Sequence, residues 1–143
     1  MSARAFLSPC RRNGTVTAQR GTAPSLLIVE DNDVEREGPS AILRHQGFET
    51  CEAENGEQAL DCLRARKPNL ILLDMLLPGY GGDGWSVLER IRANPAWANI
   101  PVIIVTGLEV ASLEWAKSLG ARAIVRKPVH TEELMHKIRH YAM

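Results

Sequence analysis

From Ser25 onward, short and wholly apolar runs alternate with longer stretches whose apolar residues recur every three or four positions. LLIV (26–29) is the first run, and a helical stretch follows it to about Gln46, where Gly47 offers a C-terminal cap. FETCEA (48–53) alternates like a strand. Residues 56–67 place Ala59, Leu60 and Leu63 on one helical face and stop at Pro68. LILL (70–73) predicts a third strand; a glycine-rich loop then runs to Gly84, and WSVLERIRAN (85–94) predicts a helix ended by Pro95. VIIV (102–105) predicts a fourth strand, residues 109–119 a helix closed by Gly120, and AIV (123–125) a short fifth strand. Thr131 is placed to cap a last helix with Leu134, Ile138 and Tyr141 on one face.

Five strand–helix repeats of this kind predict an α/β fold. Strands that are apolar throughout bury both faces, as in a parallel sheet with helices on each side. Right-handed crossovers then produce an open, doubly wound sheet. One local conflict stands out: Gly38–Pro39 falls inside the first helical stretch. Proline removes a backbone hydrogen bond there, so that helix either begins late, near Pro39, or kinks. Residues 1–24 are rich in Ser, Thr, Gly, Arg and Pro without periodicity and read as a disordered N-terminal extension. The folded domain is expected to span 25–143, ending with its fifth helix and leaving no room for an output domain.

The chain has 143 residues, 45% apolar and 24% charged, which suits one globular domain. No run is long enough to span a membrane, and the N-terminus lacks the apolar stretch of about 7–15 residues that a secretory signal needs. A cytoplasmic protein is expected. Cys10, Cys51 and Cys62 have no metal-type spacing, and Cys51 and Cys62 read as small packing residues. The formal net charge of zero is uneven: residues 1–24 hold Arg4, Arg11, Arg12 and Arg20 and no acid, so the rest of the chain carries a net of −4. No basic stripe with interleaved aromatics marks the domain, so direct nucleic-acid binding is not expected.

The chemistry collects at one place in this pattern. Glu30 and Asp31 follow the first strand, Asp74 the third, Thr106 the fourth and Lys127 the fifth. In an open α/β sheet ligands bind outside the carboxyl ends of the strands, so these groups should converge in one shallow pocket. Three adjacent carboxylates cannot all stay ionised without a counter-charge, and one lysine does not balance them. A hard cation with oxygen ligands does, and Mg2+ fits a site with few carboxylates and room for phosphate oxygens. With such a cation, Asp74 can act as a nucleophile toward phosphorus and form an acyl phosphate. Lys127 and the cation would neutralise the transferred group, and Thr106 would donate to one of its oxygens.

IVEDN (28–32), LILLDMLLPG (70–79), PVIIVTG (101–107) and VRKP (125–128) resemble the four signature blocks of response-regulator receiver domains, and NGEQAL (55–60) resembles that family's second-helix opening. The resemblance covers residues 25–143. It implies the flavodoxin-like, five-stranded parallel sheet of order 2-1-3-4-5. It also implies that Asp31 ligates Mg2+ directly, Glu30 through water, and the backbone carbonyl of Leu76 as a further ligand. Asp74 would be the phosphoacceptor, Thr106 would swing toward the phosphoryl group, and Lys127 would pair with it across a Lys127–Pro128 bond that can be cis. The partners implied are a sensor histidine kinase or a histidine phosphotransfer protein, and a downstream protein target.

The departures from the family pattern are specific. Ile124 stands where an aromatic commonly turns inward with the threonine. GARA (120–123) lacks the Asp pair common in receivers that dimerise through the fourth helix, fifth strand and fifth helix. The loop after Asp74 is about two residues longer than usual, with its tip at residues 80–83. Leu76 and Leu108 flank the reacting positions with apolar side chains, which implies slow self-dephosphorylation. Trp115 falls about 200° from Leu113 around the fourth helix. Trp115 then either faces solvent, where it could anchor a partner, or folds over the helix edge into a neighbouring loop, while Trp85 and Trp97 read as packing residues. Two other readings compete. A haloacid dehalogenase-type hydrolase also uses an Asp nucleophile at a strand end, but it wants an acid where Leu76 stands. A degenerate receiver would serve only as an interaction module.

Overall fold

The computed structural model describes residues 11–12, 23–75, 84–107 and 111–142. Five parallel strands form the body of the sheet: β1 (Ser25–Val29), β2 (Glu49–Ala53), β3 (Leu70–Asp74), β4 (Val102–Thr106) and β5 (Ala123–Arg126). Their spatial order is β2-β1-β3-β4-β5, as expected. A sixth, two-residue strand, Arg11–Arg12, pairs antiparallel on the outer edge of β2, inside the segment expected to lack structure. The remainder of 1–22 lies outside the described residues.

The strand alternation explains the two-sided core. Leu27, Val29, Ile71, Leu73 and Ile104 face one side, where Leu60 and Leu63 of α2 (Gly56–Ala65), Leu88 and Ile91 of α3 (Gly84–Ala93) and Ala116 of α4 (Leu113–Ser118) cover them. Leu26, Ile28, Leu70, Leu72 and Ile103 face the other, covered by Leu43 of α1 (Asp33–His45) and by Leu134 and Ile138 of α5 (Thr131–Ala142). A fully buried Leu or Ile is worth about 1.5–3 kcal/mol, so both layers contribute. Cys62 lies in this core and Cys51 packs against it, as expected, but their Sγ atoms also meet at 3.3 Å, a contact that sequence spacing does not reveal.

The first helix does not start late. It begins at Asp33, six residues before Pro39, because Asn32 caps it by accepting from the Glu35 N–H at 2.9 Å. Arg36 and Ser40, on its inner face, bond to Glu52 of β2, and Ser40 also bonds to Thr50. These buried bonds hold the turn on either side of Pro39. Gly47 and Gly120 end α1 and α4 in the left-handed conformation, as their positions foretold.

The fourth helix is shorter than expected. Ser112 caps it by accepting from the Trp115 N–H at 3.0 Å, so it starts at Leu113. Leu113, expected inside, is 45% exposed, whereas Trp115 is half-buried against the core, the packed rather than the solvent-facing of its two expected placements. Trp115 packs edge-on to Trp85, with ring centroids 5.8 Å apart, and Trp85 is more exposed than a packing residue should be. Trp97 packs against the core as expected.

Candidate metal centre at the strand ends

The register of the sheet brings the chemical groups to one edge. Val29 lies beside Leu73, Asp74 beside Val105, and Thr106 beside Arg126. The residues ending or following these strands therefore share the carboxyl edge of the sheet. Carboxylate oxygens of Glu30, Asp31 and Asp74 all lie within 4.8 Å of one another. The Lys127 ammonium sits 2.9 Å from Glu30 Oε1 and 3.3 Å from Asp74 Oδ2. Thr106 is wholly buried at the end of β4, and its carbonyl accepts from the Lys127 N–H at 2.9 Å. The Lys127–Pro128 bond is cis. Leu76 and Leu108, and the loop tip at 80–83, lie outside the described residues.

Each carboxylate is held differently. Glu30 is buried, its second oxygen accepting from the Asn32 N–H at 3.2 Å. Burial pushes its carboxyl up to about 7, against the pull of Lys127 and with help from the Asp74 charge. Asp31 is exposed, and Asp74 keeps 4% of its side-chain surface. Burial works against the Lys127 charge, but hydrogen bonds to Glu35 and Glu30, with the Asp74 field, outweigh it and raise the ammonium above its ordinary value. The donor set is all oxygen, three carboxylates with an oxygen of each within 4.8 Å of the others, which suits a hard divalent ion.

Two residues that sequence reasoning did not single out complete the site. Glu35, in the first turn of α1, accepts from Lys127 Nζ at 2.7 Å, closer than either other carboxylate. Its only sequence signal was an acid near a helix N-terminus, which ordinarily complements the helix dipole. Arg36 is buried beneath the acidic loop, with Nη1 donating to the Glu30 carbonyl at 2.9 Å, Nε to Glu52 at 3.2 Å and Nη2 to Asp33 at 2.7 Å. Beside Lys127 a cleft of about 310 Å³ runs between α1 and α5, lined by Gly38, Pro39 and Ile42 on one wall and Pro128, Val129 and Leu134 on the other.

With this geometry in view, the comparisons with known proteins agree. The response regulator receiver domain profile matches residues 26–139. The chain is 33% identical over 114 residues to protein PilH of Pseudomonas aeruginosa, spanning 79% of this chain and 93% of that one. It is 35% identical over 117 residues to sporulation initiation phosphotransferase F of Bacillus subtilis, spanning 81% and 91%. Among solved structures, the receiver domain of a sensor histidine kinase from Pseudomonas aeruginosa, with a magnesium ion coordinated in its active site cleft, matches with a TM-score of 0.75 at 27% identity, covering 85% of this chain and 98% of that one.

Proposed function

Because the chain belongs to the response regulator receiver domain family, we propose that Asp74 accepts a phosphoryl group from a sensor histidine kinase or a histidine phosphotransfer protein. The observation that carries this reading is the cluster itself: three carboxylates within 4.8 Å and one ammonium in contact with two of them, all at the sheet edge. Asp31 and Asp74 would hold Mg2+ directly, Glu30 through water, and the Leu76 carbonyl would complete the protein ligands. Bound there, the cation supplies positive charge for the phosphoryl oxygens.

In the transfer, an Asp74 carboxylate oxygen forms a bond to phosphorus as the phosphorus–nitrogen bond of the donor phosphohistidine breaks. The imidazole leaves, taking up a proton. Lys127, held fully charged by its neighbours, stabilises the transferred group. Thr106 donates its hydroxyl to one phosphoryl oxygen, and its movement toward that oxygen carries the signal. The chain's own chemistry is limited to gaining and losing this group, so it works as a signalling switch rather than a multiple-turnover enzyme. It signals to a downstream protein through altered contacts, for which the α4 face bearing Leu113 and the edge of Trp115 is one surface. No helix among the described residues is long and apolar enough to cross a membrane, and a cytoplasmic location suits partners of this kind.

Incubation with acetyl phosphate and Mg2+ tests the reading. Stable labelling that disappears in Asp74→Asn is the expected result. Repeated turnover of phosphate esters would instead indicate a hydrolase, and no labelling at all would indicate an interaction module.

A further inference from the structure

We propose that Glu35 is a positioning residue for Lys127, holding the ammonium in the resting protein and surrendering it when a phosphoryl group arrives on Asp74. This rests on the phosphoacceptor reading above and adds a residue to it.

The argument starts from donor counting. A lysine ammonium has three N–H donors. Here three carboxylates surround it: Glu35 at 2.7 Å, Glu30 at 2.9 Å and Asp74 at 3.3 Å. A phosphoryl oxygen can gain a donor from Lys127 only if one of the three yields. Asp74 carries the incoming group, so its contact moves with it. Glu30 is buried and also fixed by the Asn32 N–H, so releasing its oxygen would leave a carboxylate that water reaches poorly. Glu35 is 49% exposed, and water can take over its oxygen at little cost. It also stands outside the cluster of three carboxylates suited to a cation, so metal binding does not draw it away from Lys127. Its backbone is pinned by the Asn32 cap, so only its side chain need move. The exchange has a structural consequence. The Lys127–Glu35 bridge ties α1 to the segment between β5 and α5 beside the cleft that both residues line, and releasing it unties that connection.

The test measures affinity for beryllium trifluoride, a phosphoryl mimic, with Mg2+ present, on the full chain. Glu35→Gln removes the competitor, so the apparent dissociation constant should fall about two- to fivefold, the range expected for a partly exposed ion pair. In a Lys127→Met background the same substitution should have no effect; a gain that persists there reflects general loss of negative charge and overturns the proposal. The side-chain carboxyl carbon resonance of Glu35 should shift when the mimic binds, and a resonance that stays put overturns it as well. Equal affinity in wild type and Glu35→Gln removes Glu35's role but leaves the phosphoacceptor reading intact. If the wild type neither binds the mimic nor labels on Asp74, that reading and this one both fall.

Discussion

Arg36 Nη1 donates to the main-chain carbonyl of Glu30 at 2.9 Å, so the first acidic residue of the site is gripped from within the fold by a helix residue six positions later. The same guanidinium reaches Glu52 on β2 and Asp33 on α1. One buried cation therefore ties the acidic loop, the first helix and the neighbouring strand together. Ser40, Thr50 and Arg44 extend the network around Glu52.

Replacing Arg36 with methionine would remove the closest cation from the buried Glu52, while the Ser40 bond and the longer Arg44 contact stay in place. Breaking one partner of a buried ion pair costs about 3–5 kcal/mol. Arg44 remains, so the lower end applies: urea unfolding of Arg36→Met should show a loss of about 3 kcal/mol. A loss under about 1 kcal/mol would mean the network contributes little beyond packing.

Glu30 makes the site pH-sensitive. Its carboxyl is raised from 4.5 to about 7 by burial and the nearby Asp74 charge, against the Lys127 contact. Between those two values the folded, metal-free protein holds a proton that the unfolded chain has lost. Stability of the metal-free domain therefore falls as pH rises from about 4.5 to 7 and is regained as pH falls through that window. Mg2+ needs the ionised carboxylate, so its binding has the opposite slope. Calorimetric titration at pH 6, in two buffers of different ionisation enthalpy, should show release of nearly one proton per Mg2+ bound, and titration at pH 8 almost none. Glu30→Gln should abolish the difference.

Most of the frame was legible in the sequence, and the reason is periodicity. Short, wholly apolar runs such as LILL, bounded by turn residues like Pro68, read as strands buried on both faces, and each chemical residue was read from its place after such a run. Lys127 and Glu30 could thus be brought together across 97 positions without any contact information. What escaped depended on side-chain reach. Glu35 lies in the first turn of α1, where an acid has an ordinary helix-end role, and meets Lys127 only because both side chains are long. Trp115 had two open placements, and the packed one holds because Leu113, taken as part of the inner face, turns to solvent while Ala116 and Trp115 meet the core. Proline in α1 suggested a late start or a kink; the late start is excluded because the Asn32 cap and the buried Arg36 and Ser40 contacts outweigh the missing hydrogen bond.

Gly84 opens α3 directly against the end of the Asp74 strand. A Cβ there would lie 2.4 Å from Met75 Cα and 2.7 Å from the Asp74 carbonyl oxygen, both main-chain atoms that cannot swing aside. Gly84→Ala must therefore push the helix off the strand or bend the strand end. Overpacking of this kind costs about 1–3 kcal/mol. Asp74 itself carries one of the displaced main-chain atoms, so, on the phosphoacceptor reading, labelling by acetyl phosphate should slow as well. A variant with wild-type stability and labelling would show that the loop absorbs the extra methyl without moving Asp74.

Trp115 and Leu113 separate stability from partner binding on the fourth helix. Trp115 is half-buried against the core and edge-on to Trp85 at 5.8 Å, so it should behave as a packing residue. Trp115→Ala should cost about 2 kcal/mol, less than the loss for a fully buried tryptophan because part of the ring stays in water. An exposed Leu113→Ala should change stability by under about 0.5 kcal/mol. If this face docks a downstream protein, Leu113→Ala weakens capture of that protein while leaving the unfolding midpoint in place, and Trp115→Ala weakens both. Loss of capture in Trp115→Ala alone, tracking its lost stability, would mean the aromatic pair serves the fold and the partner surface lies elsewhere.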